Sequence, residues 1–160
     1  MILFDFSEKS EAGKWRVVND GVMGGLSQST FQIGDAGTAV FSGSVLLENN
    51  GGFCSVNYNT GKMITEGYST LAIYLKGDGK KYQARIREKS SDYFSYIITF
   101  QTSGKWETIE LPLKEMVPSF RGRNLDLPNF SGNNMVELTF LISNKTAETF
   151  RLELQKAFLK

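Results

Sequence analysis

The chain has 160 residues, 41% hydrophobic and 22% charged, with 18 basic against 17 acidic side chains and a net charge of +1. That length supports one domain over residues 1–160 that buries roughly 70% of the surface its unfolded chain exposes, and the composition excludes disorder, a coiled coil or a membrane protein. Near-neutrality excludes a global field that would gather nucleic acid or an anionic membrane. There is no histidine and a single cysteine, Cys54. Histidine-based triads, cysteine–histidine pairs, imidazole-held zinc and an internal disulfide are therefore all excluded.

Taken in chain order, the dominant signal is alternation of apolar and polar residues in short runs, the mark of half-buried strands. The amino-terminal segment, with acids at Asp5, Glu8 and Glu11, has neither a basic start nor a long apolar stretch. It carries no targeting signal, so a cytoplasmic location without membrane insertion is expected. "ILFDF" and "WRVVN" read as the first strands, and "NDGVMGGLSQS" at 19–29 follows. A phosphate cradle needs glycines leading into a helix, whereas these lead into the alternating "STFQI". Tight turns explain Gly21, Gly24 and Gly25, and leave Met23 either to tuck under the fold or to face a partner.

"TAVFSGSVLL" is the next strand, followed by "LENNGGFCSV" at 47–56, in which Asn49, Asn50 and Gly52 suit a bulged hairpin or a binding loop before Phe53. Cys54 alternates into the strand "GFCSVNY" as a small core residue. "TLAIYLK" and "KYQARIREK" flank "KGDGKK", whose Asp-Gly reads as a tight hairpin. With Tyr82, Ala84 and Ile86 inward, Gln83, Arg85 and Arg87 fall on the other face, where Tyr93 and Ser95 of the next strand "YFSYIITFQ" can join them. "TSGKW" reads as another hairpin, leading into "KWETIEL". Residues 112–134, holding Pro112, Pro118 and Pro128, read as one long crossover that carries Arg121 and Arg123. "MVELTFLIS" and "TFRLELQKAF" complete about eleven strands, which hide their edges best as a two-sheet antiparallel jelly-roll sandwich.

The chemistry open to such a chain is narrow. Asp20 and Glu48 are a carboxylate pair that glycoside hydrolysis could use, and Asp, Asn and carbonyl oxygens in these loops could hold calcium, although no EF-hand spacing is present. Arginines beside tyrosines suit a planar hydrogen-bonding ligand, a sugar or an acidic protein surface, or else pair with Glu88 and Glu107 on a solvated face.

Read together, "WRVVNDGVMGGLSQS" at 15–29, "FSG" at 41–43, "LENNGGFCSV" at 47–56, "KGDGKKY" at 76–82, "WETIELP" at 106–112 and "FRGR" at 120–123 resemble the complex I intermediate-associated protein 30 domain family over nearly the whole chain. The resemblance implies an all-β, galactose-binding-like fold and a role without catalysis. Eukaryotic members act as assembly chaperones of respiratory complex I, so a protein client such as a respiratory-complex subunit or assembly intermediate is implied, with carbohydrate as the alternative ligand and a glycoside-acting enzyme as a weaker one. Asn57 stands where members usually place an arginine soon after G-G-F, and a compact form like the bacterial ones, without the long amino-terminal extension of mitochondrial members, is expected. No cofactor, metal or catalytic residue is expected. The expected contact residues are Asn19, Asp20, Met23, Gly24, Gly25, Ser27, Asn49, Asn50, Gly52, Phe53, Arg85, Arg87, Tyr93, Arg121 and Arg123, with residues 19–27, 49–53 and 120–123 forming one rim.

Overall fold

A computed structural model describes residues 1–8 and 12–160, and at Val22 and Asn50 the backbone alone. Thirteen strands are present among the described residues: β1 (Ile2–Asp5), β2 (Trp15–Asn19), β3 (Gln28–Ile33), β4 (Ala39–Val45), β5 (Cys54–Ile64), β6 (Thr70–Lys76), β7 (Lys81–Arg87), β8 (Ser95–Gln101), β9 (Trp106–Pro112), β10 (Val117–Phe120), β11 (Arg123–Asn124), β12 (Asn134–Ile142) and β13 (Glu148–Leu159). All pairings are antiparallel, and they form two sheets. Sheet A runs β3-β4-β13-β6-β9, with β1 also on β13, and sheet B runs β11-β10-β8-β7-β12-β5-β2. β4 covers β13 from Glu148 to Leu154, and β1 takes over along the same strand from Lys156 to Phe158.

Inward side chains of both sheets make one core. Leu71, Ile73 and Leu75 of β6 and Leu152 and Leu154 of β13 meet Tyr82, Ala84 and Ile86 of β7 and Leu138, Phe140 and Ile142 of β12. At the start of β12 a register shift between Met135 and Glu137 turns Met135, and not Val136, toward the core. One side of the sandwich is closed by aromatic rings. Trp15 stacks on Phe31 at 4.5 Å and on Tyr58 at 4.7 Å, with the edge of Phe4 at 5.0 Å. Offset and edge-on aromatic pairs of this kind contribute about 0.5–1.5 kcal/mol each beyond the area they bury.

The eleven expected strands are all present, and two more, β10 and β11, lie inside the stretch read as a crossover. Pro118 sits in β10 without breaking its pairing to β8. The Pro118 carbonyl accepts the Leu125 N–H at 2.9 Å on the outer side, so the proline nitrogen, which has no hydrogen to give, also faces away from β8.

The expected hairpins at 76–81, 102–106 and 47–56 need correction. β6 belongs to sheet A and β7 to sheet B, and β8 to β9 and β4 to β5 also change sheet, so each of these turns is an arch from one sheet to the other. Asp-Gly chemistry sets the local backbone, with Gly79 at φ 84°, but does not decide which sheet receives the next strand. Two of the arches are knitted together by Thr102, whose hydroxyl donates to the Lys80 carbonyl at 2.8 Å and accepts the Gly79 N–H at 3.1 Å.

Cys54 is fully buried on β5. Burial pushes its thiol up to about 11, opposed by a contact with Ser29 and helped by the negative charge of Asp20. The folded protein is therefore expected to resist a thiol-specific reagent at pH 8, while the urea-unfolded chain releases one equivalent at once. Equal rates in the two states would contradict this placement. No helix among the described residues is long and apolar enough to cross a membrane.

Candidate functional site

β2 ends at Asn19 opposite Cys54, the first residue of β5, and β3 begins at Gln28 opposite Ser44 near the end of β4. Residues 19–27 and 46–53 therefore leave the sandwich at one end and side by side. Each makes one turn of 3-10 helix, Asp20–Met23 and Glu48–Asn50. Between the two turns lies the carboxylate of Asp20, with 0% of its residue surface exposed. It accepts the backbone N–H of Ser27 at 3.0 Å, of Gly52 at 2.7 Å and of Phe53 at 3.2 Å, and the Ser27 hydroxyl as well. That hydroxyl in turn accepts the Leu46 N–H at 2.8 Å, so both loops close on one side chain. The Asp20 backbone adds its N–H to the Phe53 carbonyl and takes the Gly25 N–H at 2.9 Å.

Two of the glycines, Gly25 and Gly51, are explained by the same carboxylate. A Cβ on Gly25 would lie 2.4 Å from the Asp20 carboxyl carbon, and one on Gly51 would lie 2.7 Å from Asp20 Oδ2 and from the Leu46 carbonyl oxygen. Gly24 at φ 89° and Gly52 at φ 140° hold backbone that side chains disfavour. Burial pushes the Asp20 carboxyl upward in pKa, but the bonds from Ser27, Gly52 and Phe53 outweigh it, and the group titrates below its ordinary 3.8. A carboxyl held ionised and filled with donors is a structural clasp. Asp20 and the buried Ser27 are thus corrected as contact residues, and Asp20 cannot serve as the proton-donating partner of Glu48.

Beside the polar Glu48 and Asn49, these loops expose three apolar side chains. Met23 is 51% exposed, and beside it Leu26 and Leu47 are each 45% exposed. Leu26 and Leu47 were not among the expected contact residues. They follow from the clasp, because fixing both ends of each loop leaves the residues between them pointing outward. Asn19 is half-buried and accepts the Ser29 hydroxyl at 2.8 Å, Phe53 is half-buried, and Asn49 is exposed with φ 55°. The side chain of Asn50 lies outside the described residues.

Residues 120–123 do not share this rim. β10 pairs Ser119 with Ser95, the first residue of β8, while β2 and β5 meet the clasp at the opposite strand ends and across the width of sheet B. The Phe120–Arg123 turn is a hairpin at the far corner, with Arg121 at φ 49°. There Arg121 lies over the Phe120 ring at 5.2 Å, and Tyr93, 62% exposed, meets the same ring edge-on at 5.2 Å. Tyr93 and Arg121 are brought together, and both are separated from Met23.

Arg85 and Arg87 form a third place. They project from β7 away from the core, on the outer face of sheet B, where Arg85 lies opposite Thr139 of β12 and Ile97 of β8. Arg85 Nε and Nη2 donate to Gln83 Oε1 at 3.0 and 2.7 Å. Among the described residues no three His, Cys, Asp or Glu side chains are grouped so as to hold a metal.

Two stacked antiparallel sheets joined by arches define a galactose-binding-like sandwich domain of the kind found in carbohydrate-binding modules. Among solved structures, the family 11 carbohydrate-binding module of Clostridium thermocellum in complex with a β-1,3-1,4-mixed-linked tetrasaccharide is similar at TM-score 0.67 and 17% identity, over 96% of this chain and 94% of that one. A solution structure of CtCBM11 is similar at TM-score 0.69 and 16% identity, over 99% and 93%. The model of the family Complex I intermediate-associated protein 30 (CIA30) matches residues 4–154, and the chain belongs to that family. It is 21% identical to the mitochondrial complex I intermediate-associated protein 30 of Mus musculus over 96% of its own length, and it spans about half of that relative, 54%.

Proposed function

We propose that the chain is a non-catalytic binding domain whose partner is a protein, seated on the loop end that presents Met23, Leu26 and Leu47. One observation carries this: three exposed apolar side chains stand on two loops that a buried carboxylate holds rigid. Interface energy concentrates in a few such anchors, and rigid loops lose little entropy when they are covered. Family membership supports an assembly role, with a respiratory-complex subunit or assembly intermediate as the client, and a cytoplasmic location belongs to the same proposal.

Met23→Ala combined with Leu47→Ala is expected to abolish capture of that client in a pull-down from the native host. The melting temperature should move by no more than about 4 °C, because each exposed substitution stays within about 0.5 kcal/mol. Arg121→Ala, at the far corner, should capture as the unaltered protein does. Full capture by the double variant would overturn the assignment.

A second reading, carbohydrate binding, is favoured by the pairing of Gln83 with Arg85 on the outer face of sheet B. A guanidinium presents paired, planar N–H donors that suit ligand oxygens, and the Gln83 amide holds this one in a fixed orientation. The tetrasaccharide complex of the similar sandwich supports the same choice of ligand.

A further inference from the structure

The outer face of sheet B is unevenly charged and sunken at its centre. Register places Arg16, Asn57, Thr139, Arg85 and Ile97 in one row across β2, β5, β12, β7 and β8. A second row sets Asn59, Glu137 and Arg87 side by side. Ser55, Thr139 and Leu141 belong to this outward set and are nevertheless buried, below the longer side chains that flank them. The two rows hold three guanidinium groups against the single carboxylate of Glu137. Among the described residues, no carboxylate lies within ion-pair distance of Arg16, Arg85 or Arg87. Arg87 Nε is shielded from water and makes no hydrogen bond.

Arg85 stands in the row between Thr139 and Ile97. A guanidinium has five N–H donors, and the Gln83 oxygen takes one from Nε and one from Nη2. Both donors on Nη1 and the second on Nη2 remain. These form the terminal edge, which matches the two oxygens of a carboxylate. Gln83 is neutral, so it orients the charge without compensating it, and burial lowers the Arg85 pKa for want of a counter-ion. The same row offers Asn57, whose Oδ1 accepts the Thr139 hydroxyl at 2.8 Å and whose amide N–H groups are left to donate.

We propose that this face binds an acidic oligosaccharide, with the carboxylate of a uronate residue on the terminal edge of Arg85 and neighbouring hydroxyls on Asn57 and Arg87. An acidic peptide suits the face less well. β7 and β12 are paired on both sides, so no free backbone edge exists here for an added strand. The proposal rests on the outer face being a ligand surface, and is independent of the loop end.

The test is calorimetric titration of the full chain with tetrasaccharides of galacturonate, mannuronate and guluronate, with their methyl esters, with a neutral mixed-linked glucan tetrasaccharide and with hexaglutamate. At least one uronate should bind, at least tenfold tighter than its ester. Arg85→Lys, which keeps the charge and loses the flat edge, and Gln83→Leu, which frees the guanidinium, should each weaken it at least tenfold with the melting temperature nearly unchanged. Should one of the two fail to fold, the other still decides. Equal binding of acid and ester, or of the neutral glucan, would leave the face a sugar surface and overturn the carboxylate assignment. Preference for hexaglutamate would overturn the sugar class, and silence from every ligand would overturn both the assignment and the surface.

Discussion

Asp20→Ala is expected to lower the melting temperature by about 10–15 °C. The substitution strips three backbone N–H groups, those of Ser27, Gly52 and Phe53, of their acceptor, and strips the Ser27 hydroxyl as well. Each buried donor left without a partner costs about 1–3 kcal/mol, and partial filling by water brings the sum to about 3–5 kcal/mol. At about 2–4 °C per kcal/mol for a chain of this size, the shift follows. Differential scanning calorimetry would show it, and a shift under about 3 °C would mean that the loops hold together without the clasp.

The same carboxylate gives a pH signature with a definite sign. Its folded pKa lies below the ordinary 3.8. Its contribution is therefore fully present above the unfolded pKa, near 4, and is lost as pH falls through the folded value. Asp5, held by Ser7, is shifted in the same direction, so the acid limb of the wild-type curve contains both groups. Asp20→Asn isolates one of them. Its stability should decline less steeply below pH 4 than that of the unaltered protein, with Asp5 still contributing, and parallel curves would show that Asp20 does not carry the difference.

Eleven of the thirteen strands were legible because alternation is a local property: Leu71, Ile73 and Leu75 must share a face wherever β6 ends up. Pairing was less so. "KGDGKK" contains everything a hairpin turn needs, and nothing in it shows that β7 joins the other sheet. Residues 117–124 were hidden by Pro118, whose cost depends on which neighbour its nitrogen faces, a fact set by tertiary pairing. The far placement of Arg121 follows from the direction of β10, which alternation does not report. The clasp left a trace that was read differently. An aspartate followed by close-set glycines suggested a surface turn, yet those glycines make room for a buried side chain, and a burial of that kind is invisible until Gly52 and Phe53 come back to it from more than thirty positions away.

Gly25→Ala and Gly51→Ala decide between a loop that merely turns and one built around a carboxylate. If the glycines served only the backbone, alanine at either would cost little, since neither takes a positive φ. Against the packed carboxylate, the Gly25 methyl must displace the Asp20 carboxyl carbon from 2.4 Å, and the Gly51 methyl has Asp20 Oδ2 and the fixed Leu46 carbonyl both at 2.7 Å. Overpacking of this kind costs about 1–3 kcal/mol, with a further loss when the displaced group surrenders its hydrogen bonds, so about 2–4 kcal/mol is expected for each. The discriminating measurement is a double-mutant cycle. In the Asp20→Ala background the methyl of Gly25→Ala has lost the carboxyl group but still meets the Cβ that remains, at 2.8 Å, so its cost should fall by about 1–2 kcal/mol without vanishing, a coupling well above the scatter of independent sites. Gly51→Ala should recover less, because the Leu46 carbonyl stays where it was. Additive costs for Gly25→Ala across the two backgrounds would show that the glycine answers to something other than Asp20, and would remove the clasp as the reason the D-G-V-M-G-G segment holds its shape.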